Sequence, residues 1–371
     1  MGKRRYRRLG MGSFFGMPVY ERAVPDSHFL RQLARLADWD GYGERLIALY
    51  KGRGEAGRPP YNPAVILKML LLSYLYNLSE RQTETYVNDS LSAKYFLGLA
   101  VDEVGPDHST LTAFKRRIVE RGDGDALAHL LEEIVRAAIE RGIEFGSIQI
   151  VDSTHTGADV NVRKDERRKQ ERDGEGRDDD ARWGVKHSRR SRDEKGKVVE
   201  QKEYFHGYKA HTSMNAAAEL VTSVVITPGN VPDGKQFTRL VDQDMAQGLP
   251  IETYAGDRGY DDTENHHYLE TKGLNSALKL NDYRTQKKDS NKEVWVELKQ
   301  TETYQEGLRQ RHKIEQKYGE AKQNHGLRRC RYLGRARYEI QVYLTVIAMN
   351  LKRMVKLLTG VNFKGRARLA A

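Results

Sequence analysis

Three acidic residues lie at positions where a carboxylate could take part in chemistry. Asp152 lies near the end of the segment FGSIQIVDST, and Asp257 directly follows PIETYAG; both segments have the composition of β-strands. Glu315 lies within RQRHKIEQKYGEAKQNHG, which has the composition of a helix. A few carboxylates are enough to hold Mg²⁺, because this hard cation prefers oxygen ligands and retains several waters. Two such ions about 3.5–4 Å apart can activate a water or hydroxyl for attack on phosphorus and stabilise the leaving oxygen.

Each of these carboxylates also has a purely structural interpretation. The hydroxyls of Ser153 and Thr154 could satisfy Asp152. Positions 261–262 hold two further aspartates close to Asp257, but they fall in the first turn of the next predicted helix, where N-terminal capping explains them. Asp257 precedes that turn, so capping does not explain it.

The segment around Glu315 places three charged residues on one side of a helix. Arg311, Glu315 and Lys322 are spaced so that, at about 100° per residue, they fall within about 40° of one another. They could form an exposed ion-pair ladder, in which each pair stabilises the helix by only about 0.2–0.5 kcal/mol. Alternatively, Glu315 binds metal and the two cations face phosphates in the same cleft.

Three further polar residues recur along a predicted strand between the first two acidic positions. They are His206, Lys209 and His211 in the segment YFHGYKAH. Isolated histidines in strands are more often hydrogen-bonded structural residues than metal ligands. We therefore expect these side chains to support the site or to contact nucleic acid.

The charge of the whole chain favours a polyanionic partner. The 371 residues carry a net charge of +11, and the pI is about 9.4. Nucleic acid is the first candidate, because each phosphate that a basic side chain neutralises releases condensed counterions. The apolar runs VILKMLLLSYLY and VYLTVIAM are too short or too interrupted to span a bilayer, and the basic start lacks the apolar segment of a secretory signal. We therefore expect a cytoplasmic, nucleoid-associated protein. The chain has a single cysteine, Cys330, which excludes an intramolecular disulfide and a Cys-rich zinc site.

Residues 1–145 have the periodicity of an all-α domain. Apolar residues from Pro63 to about Asn77 fall in helical register, and Ser79 with Gln82 predicts a capping box for a following helix. The segment PDHSTLTAFKRRI predicts another helix that ends with Arg116 and Arg117. A short helix ending in basic residues is typical of helix-turn-helix DNA readers, although small helical bundles without that role share the pattern.

Residues 146–360 have the pattern of a mixed α/β domain. Five segments have strand character: FGSIQIVDST, KVVEQKEYFHGYKAHTSM, ELVTSVVITPGNV, PIETYAGD and NSALKL. Helical segments separate the later strands, so we predict a mixed sheet flanked by helices. The run at about 163–197 is so charged that we expect a mobile insertion that cannot fold alone. The apolar segment YEIQVYLTVIAMNLKRMVKLL predicts a last helix that packs against the sheet.

The ordered set of motifs resembles bacterial insertion-sequence transposases with an RNase H-like DDE catalytic core. The core motifs are VDST, GYKAH, VITPGNVPD, GDRGY and an R-x3-E-x6-K signature formed by Arg311, Glu315 and Lys322. The N-terminal segments PAVILKMLLLSYLYNLSERQTETYVNDSLSAKYFLGL and PDHSTLTAFKRRI resemble the helical domain of the InsH-like group, and IAMNLKRM resembles its terminal helix. The resemblance covers roughly residues 15–358.

The resemblance implies a transposase that binds the terminal inverted repeats of its element, cleaves phosphodiester bonds and joins the 3′-hydroxyl ends to target DNA. It implies an RNase H-like fold in which Asp152, Asp257 and Glu315 are the catalytic residues and the ligands of Mg²⁺, for which Mn²⁺ can substitute. Because two element ends are handled together, we expect a homodimer or a larger assembly on double-stranded DNA. The family commonly has a tyrosine three residues before the signature arginine, where this chain has Leu308.

Two alternative functions remain open at the level of the sequence. One is an RNase H-like DNA nuclease without strand transfer, and the other is a DNA-binding derivative that has lost catalysis. All three acidic positions are intact, which favours an enzyme. The expected DNA contacts are basic residues: Arg311, Lys322, Arg116, Arg117, Lys209, Lys3, Arg4 and Arg5.

Overall fold

The computed structural model describes residues 6–7, 9–10, 16–49, 59–120, 125–171, 176–192, 198–286 and 291–363. Lys3, Arg4 and Arg5 lie outside these ranges, so their DNA contacts stay predictions. The chain divides into two units. The helical unit contains residues 1–143, 324–326 and 343–371, and the sheet unit contains residues 144–323 and 327–342.

The helical unit is built around one helix that has no polar face. Its helices α1–α8 span Gly16–Ala23, Phe29–Leu36, Trp39–Arg45, Pro63–Leu75, Glu80–Asp89, Leu91–Leu97, His108–Glu120 and Asp125–Glu140. Helix α4 begins where the Asn62 side chain caps it and Pro63 supplies a helical φ, and all of its residues except Lys68 are buried. Burial on every side identifies α4 as the centre of this unit's core. The predicted capping box is confirmed by reciprocal hydrogen bonds between Ser79 and Gln82.

The described part of the sheet unit contains six strands. They are β1 Ile148–Gly157, β2 Arg182–Arg192, β3 Val198–Asn215, β4 Val221–Pro228, β5 Thr253–Gly256 and β6 Asn275–Leu278. The six-stranded sheet has the order β2-β3-β1-β5-β6, and β4 pairs with β3 outside this path. Strand β3 pairs antiparallel with β4 and β1, whereas β1, β5 and β6 are parallel. The predicted mixed sheet is confirmed, and β1 lies at its centre.

Helices cover both faces of this sheet. They are α10 Phe237–Ala246, α11 Thr263–Thr271, α12 Lys292–Gln300, α13 Glu302–Gln310 and α14 His312–Asn324. One apolar core contains Tyr254 of β5 together with residues of α10 and α11, and the other contains the next residue, Ala255, together with residues of α12 and α13. Because neighbouring residues of a strand point to opposite sides, the two cores lie on opposite faces.

The charged run at 163–197 has more regular structure than its composition indicates. Residues Val162–Glu171 form helix α9, and β2 pairs antiparallel with the first half of β3 to make a two-stranded ribbon. The described part of this run therefore forms a helix and a strand that is paired with β3. We did not predict this regular structure from the sequence. Main-chain hydrogen bonds to β3 hold β2 in place, and such bonds need no apolar side chains.

The predicted helix at 309–326 is divided at Arg311. Arg311 ends α13, and α14 begins at the next residue. The residue keeps right-handed helical torsion angles, with φ −57° and ψ −31°. Its side chain therefore still reaches Glu315 one turn later, as a continuous helix would allow.

The C-terminal helix α15, Arg335–Thr359, contributes to both units. Its residues up to Val342 group with the sheet unit, where the ring of Tyr338 stacks on that of Tyr208. From Tyr343 onward its residues group with the helical unit. The prediction that this helix packs against the sheet is therefore wrong for its longer part, because an apolar face does not specify which core it joins. No described helix is long and apolar enough to cross a membrane.

Candidate active site

The register of two parallel strands brings Asp152 and Asp257 together. In the β1–β5 pair, Ile150 lies opposite Ala255. Asp152 and Asp257 each follow that pair by two residues, so both lie at the point where β5 ends. Binding sites of open α/β sheets are found at this edge, beyond the carboxyl ends of parallel strands.

The backbone orients both carboxylates. Asp152 Oδ1 accepts a hydrogen bond from the backbone N–H of Ser153 at 2.8 Å, so the bond comes from the main chain rather than from the hydroxyls that the sequence offered as an alternative. Asp257 Oδ1 accepts from the backbone N–H of Gly259 at 2.8 Å and thereby caps the 3₁₀ turn Arg258–Tyr260.

The two carboxylates are held in an environment that disfavours their charges. Burial, and then the neighbouring charge of Asp257, raises the pKa of Asp152 to about 7. Burial also raises the pKa of Asp257, and the Asp233 carboxylate adds to this rise. The Arg311 guanidinium opposes both shifts. Adjacent, desolvated anions of this kind are stabilised by a divalent cation, which supplies the missing positive charge.

Asp233 is a third carboxylate of this site, and we did not single it out from the sequence. It begins the 3₁₀ turn Asp233–Gln236 that follows β4. Its charge raises the pKa of both Asp152 and Asp257, which places it within electrostatic range of each. The residue lies in the motif VITPGNVPD, which has neither strand nor helix periodicity at that point.

Lys209 and His211 of β3 face Asp233. Lys209 Nζ donates to Asp233 Oδ1 at 2.9 Å and to the carbonyl oxygen of Val231 at 3.0 Å. The fully buried His211 bonds through Nε2 to Thr227 Oγ1 at 2.8 Å, and its Nδ1 lies 3.6 Å from Asp233 Oδ1. The expectation that these residues support the site agrees with this arrangement, whereas a DNA contact by Lys209 stays a prediction.

Two buried polar atoms near the carboxylates have no hydrogen-bond partner among the described residues. One is the hydroxyl oxygen of Tyr260, and the other is Nδ1 of His211. After burial, the charges of Asp152 and Asp233 do most to raise the pKa of the fully buried Tyr260, so the three groups lie close together. Unpaired buried polar atoms are costly, and water is their usual missing partner. Neighbouring carboxylates and an unpaired hydroxyl provide the oxygen ligands that a hydrated divalent cation prefers.

Helix α14 is fixed to β1 beside Asp152, and its Glu315 is paired with Arg311. The Tyr318 hydroxyl donates to the carbonyl oxygen of Asp152 at 2.7 Å and lies 2.7 Å from Thr212 Oγ1. One turn earlier, Glu315 Oε1 accepts from Arg311 Nη2 at 2.6 Å, and 55% of the Glu315 side chain is exposed. The Arg311–Glu315 ion pair, which the sequence analysis gave as the alternative to metal binding by Glu315, is therefore present.

A different cluster has the spacing of metal ligands. Glu84, Asp107 and His108 are, in the part of the chain that is described, the one group whose ligand atoms all lie within 4.8 Å of one another. These residues cap helix α7, since Glu84 Oε2 accepts from the backbone N–H of His108 and Asp107 Oδ1 from that of Ser109. Capping accounts for the cluster without a metal ion.

Basic side chains lie near β1 on the C-terminal side of Asp152. Lys322 of α14 is partly buried, and burial followed by the charges of Lys186 and Arg328 lowers its pKa. Burial, followed by the charges of Lys322 and Lys186, lowers the pKa of His155 to about 4. Lys322 therefore lies in a positively charged region three residues along β1 from Asp152, which suits contact with phosphates.

The aspartates after Asp257 have separate structural roles. Asp262 caps α11 by accepting from the backbone N–H of Glu264, as expected. The capping prediction is wrong for Asp261, which is buried and bonds to His266 and Arg284. Its distant partner Arg284 could not be recognised from sequence spacing.

The two basic residues of α7 occupy different surroundings. Arg116 is exposed and lies 3.7 Å from Glu120 on the same helix. Arg117 is partly buried and lines an open pocket with Arg7, Tyr61 and Thr110. Neither arrangement tests DNA contact, which stays a prediction for both.

Two family models match the chain. A model described as a transposase DDE domain matches residues 143–351, and a model described as a transposase domain (DUF772) matches residues 18–117. The first match includes β1, the turn after β5 and α14, where the three predicted catalytic carboxylates lie.

Proposed function

Because the chain belongs to the family of insertion-sequence transposases with an RNase H-like DDE domain, we propose that it cleaves phosphodiester bonds at the ends of its own element. We propose further that it joins the 3′-hydroxyl ends to target DNA. The observation that carries this proposal is the pair formed by Asp152 and Asp257, which the β1–β5 register holds together. Burial raises the pKa of both carboxyl groups, and the charge of Asp257 raises that of Asp152 further.

We assign Asp152, Asp257 and Glu315 as the residues that hold Mg²⁺, with Mn²⁺ as a substitute. When bound, the ions supply the positive charge that activates a water or 3′-hydroxyl and stabilises the leaving oxygen. Glu315 is included because α14 is bonded to β1 one turn further on, through Tyr318. Its carboxylate must first leave Arg311, with which it is paired at 2.6 Å.

Two cations of the signature then serve the DNA backbone. Once Glu315 holds metal, Arg311 is released from its ion pair and can contact a phosphate. Lys322 already lies in the basic region beside His155. These side chains hold the scissile strand in place, which matters because phosphoryl transfer depends mainly on positioning and charge stabilisation.

Recognition of the element ends is assigned to the helical unit. Arg116 and Arg117 of α7 would contact DNA, and Lys3, Arg4 and Arg5 would reach phosphates. Affinity should fall steeply as salt concentration rises, because phosphate contacts release counterions. We propose a homodimer or larger assembly on double-stranded DNA, since two ends must be joined together.

The test uses DNA that flanks the coding region and contains the element ends. Full-length protein is incubated with labelled ends and a target plasmid in Mg²⁺, and both cleavage and joining are scored. Pre-cleaved ends with a free 3′-hydroxyl should be joined to the target. Cleavage without joining would favour a nuclease of the same fold, and binding without cleavage would favour a catalytically inactive derivative.

A further inference from the structure

We infer that Asp233 is a further ligand of the divalent ion at the Asp152–Asp257 site, and that Lys209 occupies its carboxylate when the metal is absent. This inference rests on the proposed function only in requiring that the site bind a divalent ion. The resemblance that identifies the other acidic residues gives no role to Asp233.

Two tight turns bring Asp233 next to Asp257. A Cβ atom added at Gly259 would lie 3.0 Å from Asp257 Oδ1 and 3.9 Å from Asp233 Oδ2. The two carboxylate oxygens therefore lie near the same glycine, no farther apart than the sum of those distances. A Cβ at Gly234 would lie 2.8 Å from the carbonyl oxygen of Gly259, so the backbones of the two turns also touch.

Two unpaired atoms point to a ligand at this position. The fully buried Tyr260 has an unpaired hydroxyl within electrostatic range of Asp152, Asp233 and Asp257. The fully buried His211 has an unpaired Nδ1 directed at Asp233 Oδ1, at 3.6 Å. Neither atom has a hydrogen-bond partner among the described residues. Waters held by a divalent ion would supply the hydrogen-bond partners that both lack.

The contact between Lys209 and Asp233 predicts in which direction each variant should change metal affinity. Its ammonium group is anchored by the Val231 carbonyl oxygen and bonds to Asp233, so it competes with a metal ion for that carboxylate. If Asp233 served only to anchor Lys209, removal of either side chain would have the same effect on metal binding. If Asp233 is a ligand, removal of Lys209 should strengthen metal binding, whereas removal of Asp233 should weaken it.

The first measurement is calorimetric titration of the full-length protein with Mn²⁺ in the absence of DNA. Asp233→Asn should weaken Mn²⁺ binding by about 10-fold or more, and Lys209→Met should tighten it. Asp242→Asn, at an exposed position of α10, should leave it unchanged. Equal binding by Asp233→Asn and wild type, or weakening by Lys209→Met, would overturn the inference. Asp152→Asn separates the two proposals: if it binds Mn²⁺ as wild type does, the proposed metal site itself fails.

The second measurement tests direct ligation rather than charge. Asp233→Cys places a soft thiolate at the site, which should recruit Cd²⁺ and give a thiolate-to-metal charge-transfer band in the ultraviolet. Adding Asp152→Asn should abolish the band, and Asp242→Cys should show none at the same Cd²⁺ concentration. Wild type controls for Cys330, which is buried. The absence of a band in Asp233→Cys, or its persistence in the double variant, would show that Asp233 is not a ligand of this ion.

Discussion

The Tyr318 hydroxyl donates a hydrogen bond to the carbonyl oxygen of Asp152 at 2.7 Å. This bond joins α14, which carries Glu315 and Lys322, to the strand that carries Asp152, the first of the proposed catalytic aspartates. It connects residues that are 166 positions apart in the sequence. The relative placement of the acidic residues therefore depends on a side chain that need not touch the substrate.

Replacement of Tyr318 by phenylalanine should lower cleavage. The variant leaves the Asp152 carbonyl oxygen without this donor, which costs about 1–3 kcal/mol if no water replaces it, and it frees α14 to shift. The matched control is Tyr338→Phe, which also removes a tyrosine hydroxyl bonded to a group on β1, Thr156 Oγ1 at 2.8 Å. Both variants should melt at lower temperature than wild type, but only Tyr318→Phe should cleave slowly at saturating DNA. Equal cleavage by the two variants would show that the bond serves stability alone.

The pKa of Asp152 predicts how the stability of the metal-free protein depends on pH. Because this pKa is raised from 3.8 to about 7 in the folded protein, the folded state binds a proton more tightly than the unfolded state. The contribution of this group to stability is therefore largest below about pH 4 and is lost as the pH rises towards about 7. In chelator, the melting temperature of wild type relative to Asp152→Asn should fall over this range, and excess Mg²⁺ should reduce the difference. A difference that is constant with pH would contradict the raised pKa.

Variants of Arg311, Glu315 and Lys322 distinguish two roles for these residues. They form either an exposed set of ion pairs or a surface that faces the catalytic centre. If the ladder were the only role, Arg311→Ala or Lys322→Ala should change stability by at most about 1 kcal/mol and leave cleavage unchanged. We expect both variants to lower cleavage and strand transfer with nearly unchanged melting temperature, because the DNA backbone is misplaced. Glu315→Gln should be more severe than either, since it removes a proposed metal ligand. Normal cleavage by the Arg311 and Lys322 variants would leave only Glu315 in the site.

The proposed DNA contact of Arg116 in α7 can be tested against a matched control, Arg167 in α9. Arg116 pairs with Glu120, and Arg167 pairs with Glu171, in two exposed i,i+4 pairs with N–O distances of 3.7 and 3.9 Å. Arg116→Ala should weaken binding to element ends and reduce the salt dependence by about one counterion, whereas Arg167→Ala should not. Binding measured by fluorescence anisotropy at several salt concentrations decides this. Equal weakening by both would indicate a general effect of lost positive charge and would contradict a specific contact by Arg116.

The position of Asp257 at the end of β5 could be predicted, whereas Asp152 lies within β1, which continues to Gly157. Parallel neighbouring strands bring residues at equivalent positions together, so two aspartates just after the apolar parts of β1 and β5 are expected to meet. The spacing of Arg311 and Glu315 likewise predicts their contact through helix geometry alone. These features are local, and tertiary structure only has to preserve them.

Other features depend on contacts between distant residues and could not be read from spacing. Asp233 lies in a turn without periodicity, and its proximity to Asp257 arises from the packing of two turns around Gly259. Asp261 bonds to Arg284 rather than capping a helix. The longer part of α15 joins the helical unit, although its apolar face would suit either core. In each case the deciding interaction is tertiary.

Single-turnover cleavage at saturating DNA tests the central claim most directly. Asp152→Asn and Asp257→Asn replace charged carboxylates with neutral amides, which are poor Mg²⁺ ligands. Each should abolish cleavage of element ends in Mg²⁺ while binding those ends nearly as wild type does. Wild type should lose cleavage in chelator and regain it with Mg²⁺ or Mn²⁺. Cleavage at the wild-type rate by either variant, or retained activity in chelator, would contradict a metal-dependent centre built on Asp152 and Asp257.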